Sequence, residues 1–139
     1  MRTMNGDRSI LFICTHNSVR SFMAEYIGRS KYPDIVFRSA GIYPLEPDPA
    51  AVAVLKEDDI DPGDHRPSTI GSCSGECFDL IVFMCPHAMR NAYSLPKSKG
   101  IILHEVSVPA GGTGNLSGFR ELRDNLKVFI DEIAETIRI

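Results

Sequence analysis

The sequence predicts an α/β fold: one doubly wound parallel sheet of four strands with helices on both faces. Three observations predict it. Short apolar runs alternate with segments of helical spacing along the whole chain. The first run, Ser9-Ile10-Leu11-Phe12-Ile13-Cys14, is continuously apolar, as a strand covered on both faces must be. The last segment keeps a single apolar stripe through Phe119, Leu122, Leu126, Phe129, Ile130, Ile133 and Ile137. At 139 residues the chain has the length of one compact domain, 1–139, with no repeat or linker to divide it.

Each element follows from local chemistry. After the first strand, Phe22, Met23, Tyr26 and Ile27 fall at helical spacing. Ile35 to Gly41 reads as the second strand. Asp48-Pro49 marks a helix start, with proline in the first turn and Ala51, Val52, Val54 and Leu55 behind it. Asp58 to Gly75 is rich in Asp, Pro, Gly and Ser and reads as loop. Phe78 to Met84 is the third strand, Pro86 to Leu95 a short helix, and Gly100 to His104 the fourth strand. The Gly-rich segment Pro109 to Gly114 precedes the final helix. Parallel sheets of this kind hold ligands beyond the carboxyl ends of their strands.

Composition narrows the function. The chain is 43% apolar and 24% charged, as in ordinary globular domains, with a formal charge of −3. Mild acidity argues against general affinity for nucleic acid or an anionic membrane. No apolar stretch approaches a membrane span, and the polar start Met1 to Arg8 does not read as an export signal. The expected compartment is the cytoplasm, where the four cysteines, Cys14, Cys73, Cys77 and Cys85, read as catalytic or inert and not as disulfide staples. Cys73 and Cys77 lack the partner spacing of a structural zinc site, and His65, His87 and His104 are scattered and read as surface or structural. Neither a metal nor a cofactor is expected.

The segment Cys14-Thr15-His16-Asn17-Ser18-Val19-Arg20-Ser21 leaves the first strand and enters the first helix. A loop at that junction wraps its free N–H groups round an anion, and the positive end of the helix dipole favours both a bound oxyanion and a thiolate at Cys14. Arg20, six residues on, can curl back and grip two oxygens. Ser21 can donate to the sulfur, a further reason to expect a depressed thiol pKa. Cysteine, five residues, then arginine at a strand-to-helix junction is the composition of a site that binds a tetrahedral oxyanion and attacks it.

Those eight residues, followed by Met23-Ala24-Glu25, resemble the phosphate loop of the low-molecular-weight protein tyrosine phosphatases and of the arsenate reductases that share their fold. Ser39-Ala40-Gly41, Asp79-Leu80-Ile81-Val82, Pro109-Ala110-Gly111-Gly112, Phe119-Arg120 and Arg123-Asp124 extend the resemblance over nearly the whole chain. It implies flavodoxin-like winding, with Cys14 as nucleophile and Arg20 and the amides of Thr15 to Val19 as oxyanion cradle. Asn17 would be the loop organiser and Ser21 the thiolate stabiliser. It also implies one of two outcomes. A phosphatase would form a cysteinyl-phosphate that water hydrolyses. An arsenate reductase would finish by thiol attack on the cysteine, leaving a disulfide for thioredoxin, glutaredoxin or a small thiol to clear.

The chain departs from both patterns. Val108 stands where the phosphatases place their proton-transferring Asp, and Ala110 where they place an aromatic residue. Glu105 is the nearest upstream carboxylate, a displaced acid or a solvated strand-end residue. Cys85 ends the third strand where the reductases carry their first resolving cysteine; its other reading is a small buried apolar residue. Ala92 stands where their relay cysteine would follow, leaving Cys73 and Cys77 as a conceivable shuttle. Tyr43 reads as a cleft wall or a packing residue, and His16 as an anion contact or a loop-shaping residue. The leading expectation is a phosphatase acting on a phosphorylated protein or aryl phosphate. The second is an arsenate reductase using Cys14 with Cys85 or an external thiol, and the third a non-catalytic oxyanion-binding module.

Overall fold

The computed structural model describes residues 8–138; the polar start at 1–7 lies outside them. Four parallel strands form the main sheet: β1 (Arg8–Cys14), β2 (Ile35–Gly41), β4 (Leu80–Phe83) and β6 (Ile101–Leu103), in the order β2-β1-β4-β6. A second, two-stranded parallel sheet pairs β3 (Cys77–Phe78) with β5 (Lys97–Ser98). The helices are α1 (Arg20–Lys31), α2 (Pro49–Glu57), α3 (Pro86–Asn91) and α4 (Leu116–Arg138).

Strand alternation divides the core in two. Ile10, Phe12 and Cys14 of β1, with Val82 and Met84, face the larger core under α1, α2 and α4. Leu11 and Ile13, with Ile81 and Phe83, face a smaller core covered by α3 and a 3-10 turn at Ile70–Cys73. Both faces carry helix, but unequally: α4 alone has 23 residues and α3 has six. Asp48 caps α2 as its sequence predicts, accepting from the Ala50 N–H at 2.8 Å with Pro49 in the first turn.

Two expectations need correcting. The third strand is not continuous from Phe78 to Met84. It breaks at Asp79, whose carboxylate accepts from the Ser9 N–H at 2.9 Å and pairs with Lys99 at 3.2 Å. The short β3 on its near side turns to β5, a strand the apolar pattern did not show. The helix expected to reach Leu95 ends at Asn91, because Ala92 is already extended and Ser94 takes a positive φ of 52° ahead of Pro96.

Polar groups are buried under α1. Glu25 lies on the face that packs on β2, where it accepts from the Ser39 hydroxyl and pairs with Arg29. His65 packs against Phe22 and Tyr26, with its Nδ1 3.0 Å from the Tyr26 hydroxyl and its Nε2 buried without a partner among the described residues. Burial, then Arg29, lowers its pKa to about 4. Between about 6.5 and 4 the unfolded chain binds a proton that the folded chain refuses. His65 therefore withdraws stability as pH falls through that window, by up to about 3 kcal/mol. Burial raises the Glu25 pKa and acts in the opposite sense. His65 Nδ1 also lies 3.9 Å from the Glu25 carboxylate, so the comparison of wild type with His65→Gln reports the histidine together with that contact: denaturant titrations should show a stability loss on acidification that is smaller in the variant.

Candidate active site

The site forms where β1 ends. The register pairs Cys14 with Gly41 on one side and Ile13 with Phe83 on the other, so the loops after β1, β2 and β4 meet at one level. The backbone of residues 14–18 is held from outside. The carbonyls of Cys14, Thr15, His16 and Ser18 accept from the N–H groups of Ile42, Tyr43, Leu45 and Asp48 at 2.8–3.3 Å. Those four bonds fix the outer side of the loop against the 42–48 segment.

The Cys14 thiol is buried and lies 2.9 Å from the Ser21 hydroxyl, 3.3 Å from the Asn17 N–H nitrogen and 3.5 Å from that of Ser21. Asn17 adopts φ 55°, a left-handed turn that asparagine tolerates better than most residues. Its side chain fixes that turn, donating to Ser21 Oγ at 2.9 Å and accepting from the Ser68 N–H at 3.1 Å. α1 begins at Arg20 with no side-chain cap from Val19 and no acidic residue in its first turn. Arg20 Nη1 donates to the Val106 carbonyl at 3.2 Å, and its Nε is buried without a partner among the described residues.

Other expected residues fall into place with changed emphasis. Val19 is a core side chain, so only its backbone is available to a ligand. His16 shapes the loop through its Nδ1, 2.8 Å from the Tyr43 carbonyl, while the Tyr43 ring stands 60% exposed. Thr15 Oγ1 lies 3.3 Å from Cys85 Sγ and 3.3 Å from His87 Nδ1. Cys85 is thus a wall of the loop. Val108 is exposed and carries no proton, and Glu105 is exposed beside it. Cys73 packs in the smaller core, where burial pushes its thiol up, and Cys77 is exposed on β3. Neither lies within hydrogen-bond reach of the Cys14 thiol.

Of the scattered histidines, His104 is structural, stacked on Phe129 with ring centroids 3.6 Å apart, and His65 is buried as described. His87 is different. It sits at the mouth, its ring 6.4 Å from that of Tyr43. The sequence did carry a signal for it: Cys85-Pro86-His87 follows a strand end, as Cys14 does.

The fold and this loop define the class: an α/β enzyme whose first strand ends at a buried cysteine. The chain belongs to the low molecular weight phosphotyrosine protein phosphatase family, whose model matches residues 9–138. An arsenate reductase of Staphylococcus xylosus is 36% identical over 125 residues, covering 89% of this chain and 94% of that protein. Among solved structures, an arsenate reductase in the phosphate binding state superposes with a TM-score of 0.76 at 22% identity, covering 94% of this chain and 98% of that one. Vibrio vulnificus Wzb in complex with benzylphosphonate does so at 0.74 and 21%, covering 94% and 99%. At those identities the two structures establish the fold alone. Among the described residues no helix is long and apolar enough to cross a membrane.

Proposed function

We propose that the protein is an arsenate reductase in which Cys14 is the nucleophile and Cys85 the second thiol. The observation that carries this reading is the 3.3 Å contact between Cys85 Sγ and Oγ1 of Thr15, the residue that follows the nucleophile. The 36% identity to a reductase over most of both chains supports it, as does Val108 in the place of a proton donor.

Arg20 and the amides of residues 15–19 hold arsenate, with the unpartnered Arg20 Nε as one donor. The Asn17 N–H donates to the sulfur, and Ser21 Oγ lies 2.9 Å from it, so both position Cys14 Sγ for attack. Cys14 Sγ bonds to arsenic, and one arsenate hydroxyl, protonated from solvent, leaves as water. The Cys85 thiolate, its proton given to solvent, then attacks Cys14 Sγ. The S–S bond forms as the S–As bond breaks, and that electron pair stays on arsenic. Arsenic goes from As(V) to As(III) while two thiols become one disulfide, which an external dithiol of the thioredoxin or glutaredoxin kind reduces. The thiols belong to cores on opposite sides of the sheet, so Cys85 must leave its place for the bond to form. It is the N-cap of the six-residue α3 and makes no side-chain cap bond, so little structure opposes the movement.

A phosphatase is the second reading, favoured by the anion loop and by the Tyr43 and His87 rings at its mouth, which suit an aryl group. Assays with arsenate plus a dithiol reductase system, and separately with an aryl phosphate, decide between them. We expect arsenate turnover to be lost in Cys85→Ser, and mass spectrometry after a single turnover to find a Cys14–Cys85 disulfide. Aryl phosphate hydrolysis that survives Cys85→Ser, with no arsenate turnover in wild type, would establish the phosphatase instead. Phosphate binding with both assays blank would leave an oxyanion-binding module.

A further inference from the structure

We propose that His87 is the proton acceptor for Cys85, acting through the hydroxyl of Thr15. The proposal rests on the reductase reading only in taking Cys85 as the second thiol. Three atoms carry it. Thr15 Oγ1 lies 3.3 Å from Cys85 Sγ on one side and 3.3 Å from His87 Nδ1 on the other. A hydroxyl has one proton to give and two lone pairs to receive, so it can pass a proton along such a line and end unchanged.

Two protonation states fit the same heavy-atom positions. With Cys85 as a thiol, its S–H donates to Thr15 Oγ1, and the Thr15 O–H donates to Nδ1 of a neutral imidazole. When both protons shift, Thr15 gains one and gives one. The Nδ1–H of an imidazolium then donates to Oγ1, and the Thr15 O–H donates to a thiolate. One S–H bond has broken and one N–H bond has formed, with net charge unchanged and no atom oxidised. The His87 ring, exposed at the mouth, hands its extra proton to solvent. Cys85 itself is only 6% exposed, so this line is its route to water. The proton leaves before Cys85 moves, and the thiolate forms beside the residue that follows Cys14.

The surroundings leave His87 as the base. Among the described residues no carboxylate lies within hydrogen-bond reach of Cys85. His16, the other imidazole at the loop, has its Nδ1 2.8 Å from the Tyr43 carbonyl. Round the His87 ring stand Tyr43, its own ring 6.4 Å away, and on α3 the exposed Arg90. Among the described residues His87 makes no ion pair, and Thr15 is the hydrogen-bond partner of its Nδ1. The backbone beneath is fixed. Asn91 Nδ2 donates to the His87 carbonyl at 2.8 Å, and Pro86, between thiol and base, opens α3 with a locked φ. A thiol and an imidazole joined by one hydroxyl make a nucleophile with its base.

Alkylation of the full chain by iodoacetamide, read peptide by peptide by mass spectrometry, tests this. Exposed Cys77, beyond the far end of β4, is the internal reference. Asparagine at position 87 keeps a hydrogen-bonding atom near the place of Nδ1 but takes up no proton. His87→Asn should therefore slow alkylation of Cys85 about tenfold at neutral pH, and the deficit should vanish near about pH 10, where hydroxide removes the proton directly. Thr15→Val should lose as much, and the two changes together no more than either alone. Single-turnover formation of the Cys14–Cys85 disulfide should follow the same pattern. A Cys85 rate unchanged in His87→Asn would overturn the proposal. So would a loss that persists at high pH, or losses that multiply in the double variant, since either describes a contact that only positions Cys85. Failure of the reductase reading looks different: wild type then forms no disulfide at any pH, while Cys85 alkylation, which needs no arsenate, still decides the role of His87.

Discussion

Cys14→Ser is expected to abolish arsenate turnover, by about 10³-fold or more, while leaving phosphate binding within a few-fold of wild type. The two halves of that result have separate physical origins. A serine hydroxyl is scarcely ionised near neutral pH and is a far poorer nucleophile than a thiolate. Even an ester formed at serine could not complete the cycle, because no second thiol can draw an oxygen into a disulfide. Binding depends on other atoms. The loop N–H groups, the start of α1 and the Arg20 guanidinium all remain, and the serine hydroxyl is small enough for the place the sulfur occupied. Coupled NADPH oxidation with a dithiol reductase gives the first quantity, and calorimetry with inorganic phosphate the second. Turnover that persisted in Cys14→Ser would remove the thiol from the mechanism. Binding lost together with turnover would mean that the sulfur organises the loop as well as attacking its ligand.

Much of this site was legible because it is local. Cys14 to Ser21 are contiguous, and their chemistry follows from being placed between a strand and a helix. The order of the main elements was legible for a similar reason, since each apolar run is long enough to declare its period. What escaped reading depends on register between distant segments. His87 reaches Thr15 only because β4 lies beside β1 with Phe83 opposite Ile13. The break at Asp79 comes from a hydrogen bond to Ser9, seventy residues away, within a run that is otherwise apolar. Glu25 reads as surface on any helical wheel, and it is buried because Ser39 and Arg29 supply its partners. Val19, by contrast, was read through its backbone amide, and its side chain is anchored in the core.

Gly41→Ala is expected to weaken phosphate binding by about 10- to 100-fold and to slow alkylation of Cys14 by iodoacetamide, with the sheet intact. The reason is space. Gly41 is the register partner of Cys14, and a Cβ there would lie 2.9 Å from the Asn17 nitrogen and 2.9 Å from the His16 carbonyl carbon. Both are backbone atoms, so no side chain can swing aside to absorb the methyl group. The loop has few ways to yield. On its outer side its carbonyls are tied to the 42–48 segment, and Asn17 is held at positive φ by bonds to Ser21 and Ser68. A shift of a few tenths of an ångström therefore falls on Asn17 itself. That moves the N–H donating to Cys14 Sγ and loosens the side chain that aims Ser21 at the same sulfur. Asn17→Ala removes the same side-chain bonds without the added bulk and should show a similar loss of thiol reactivity. If Gly41→Ala bound phosphate as wild type does, the loop would be more compliant than its hydrogen bonds require, and the rigidity ascribed to Asn17 would have to come from elsewhere in the β1–α1 junction.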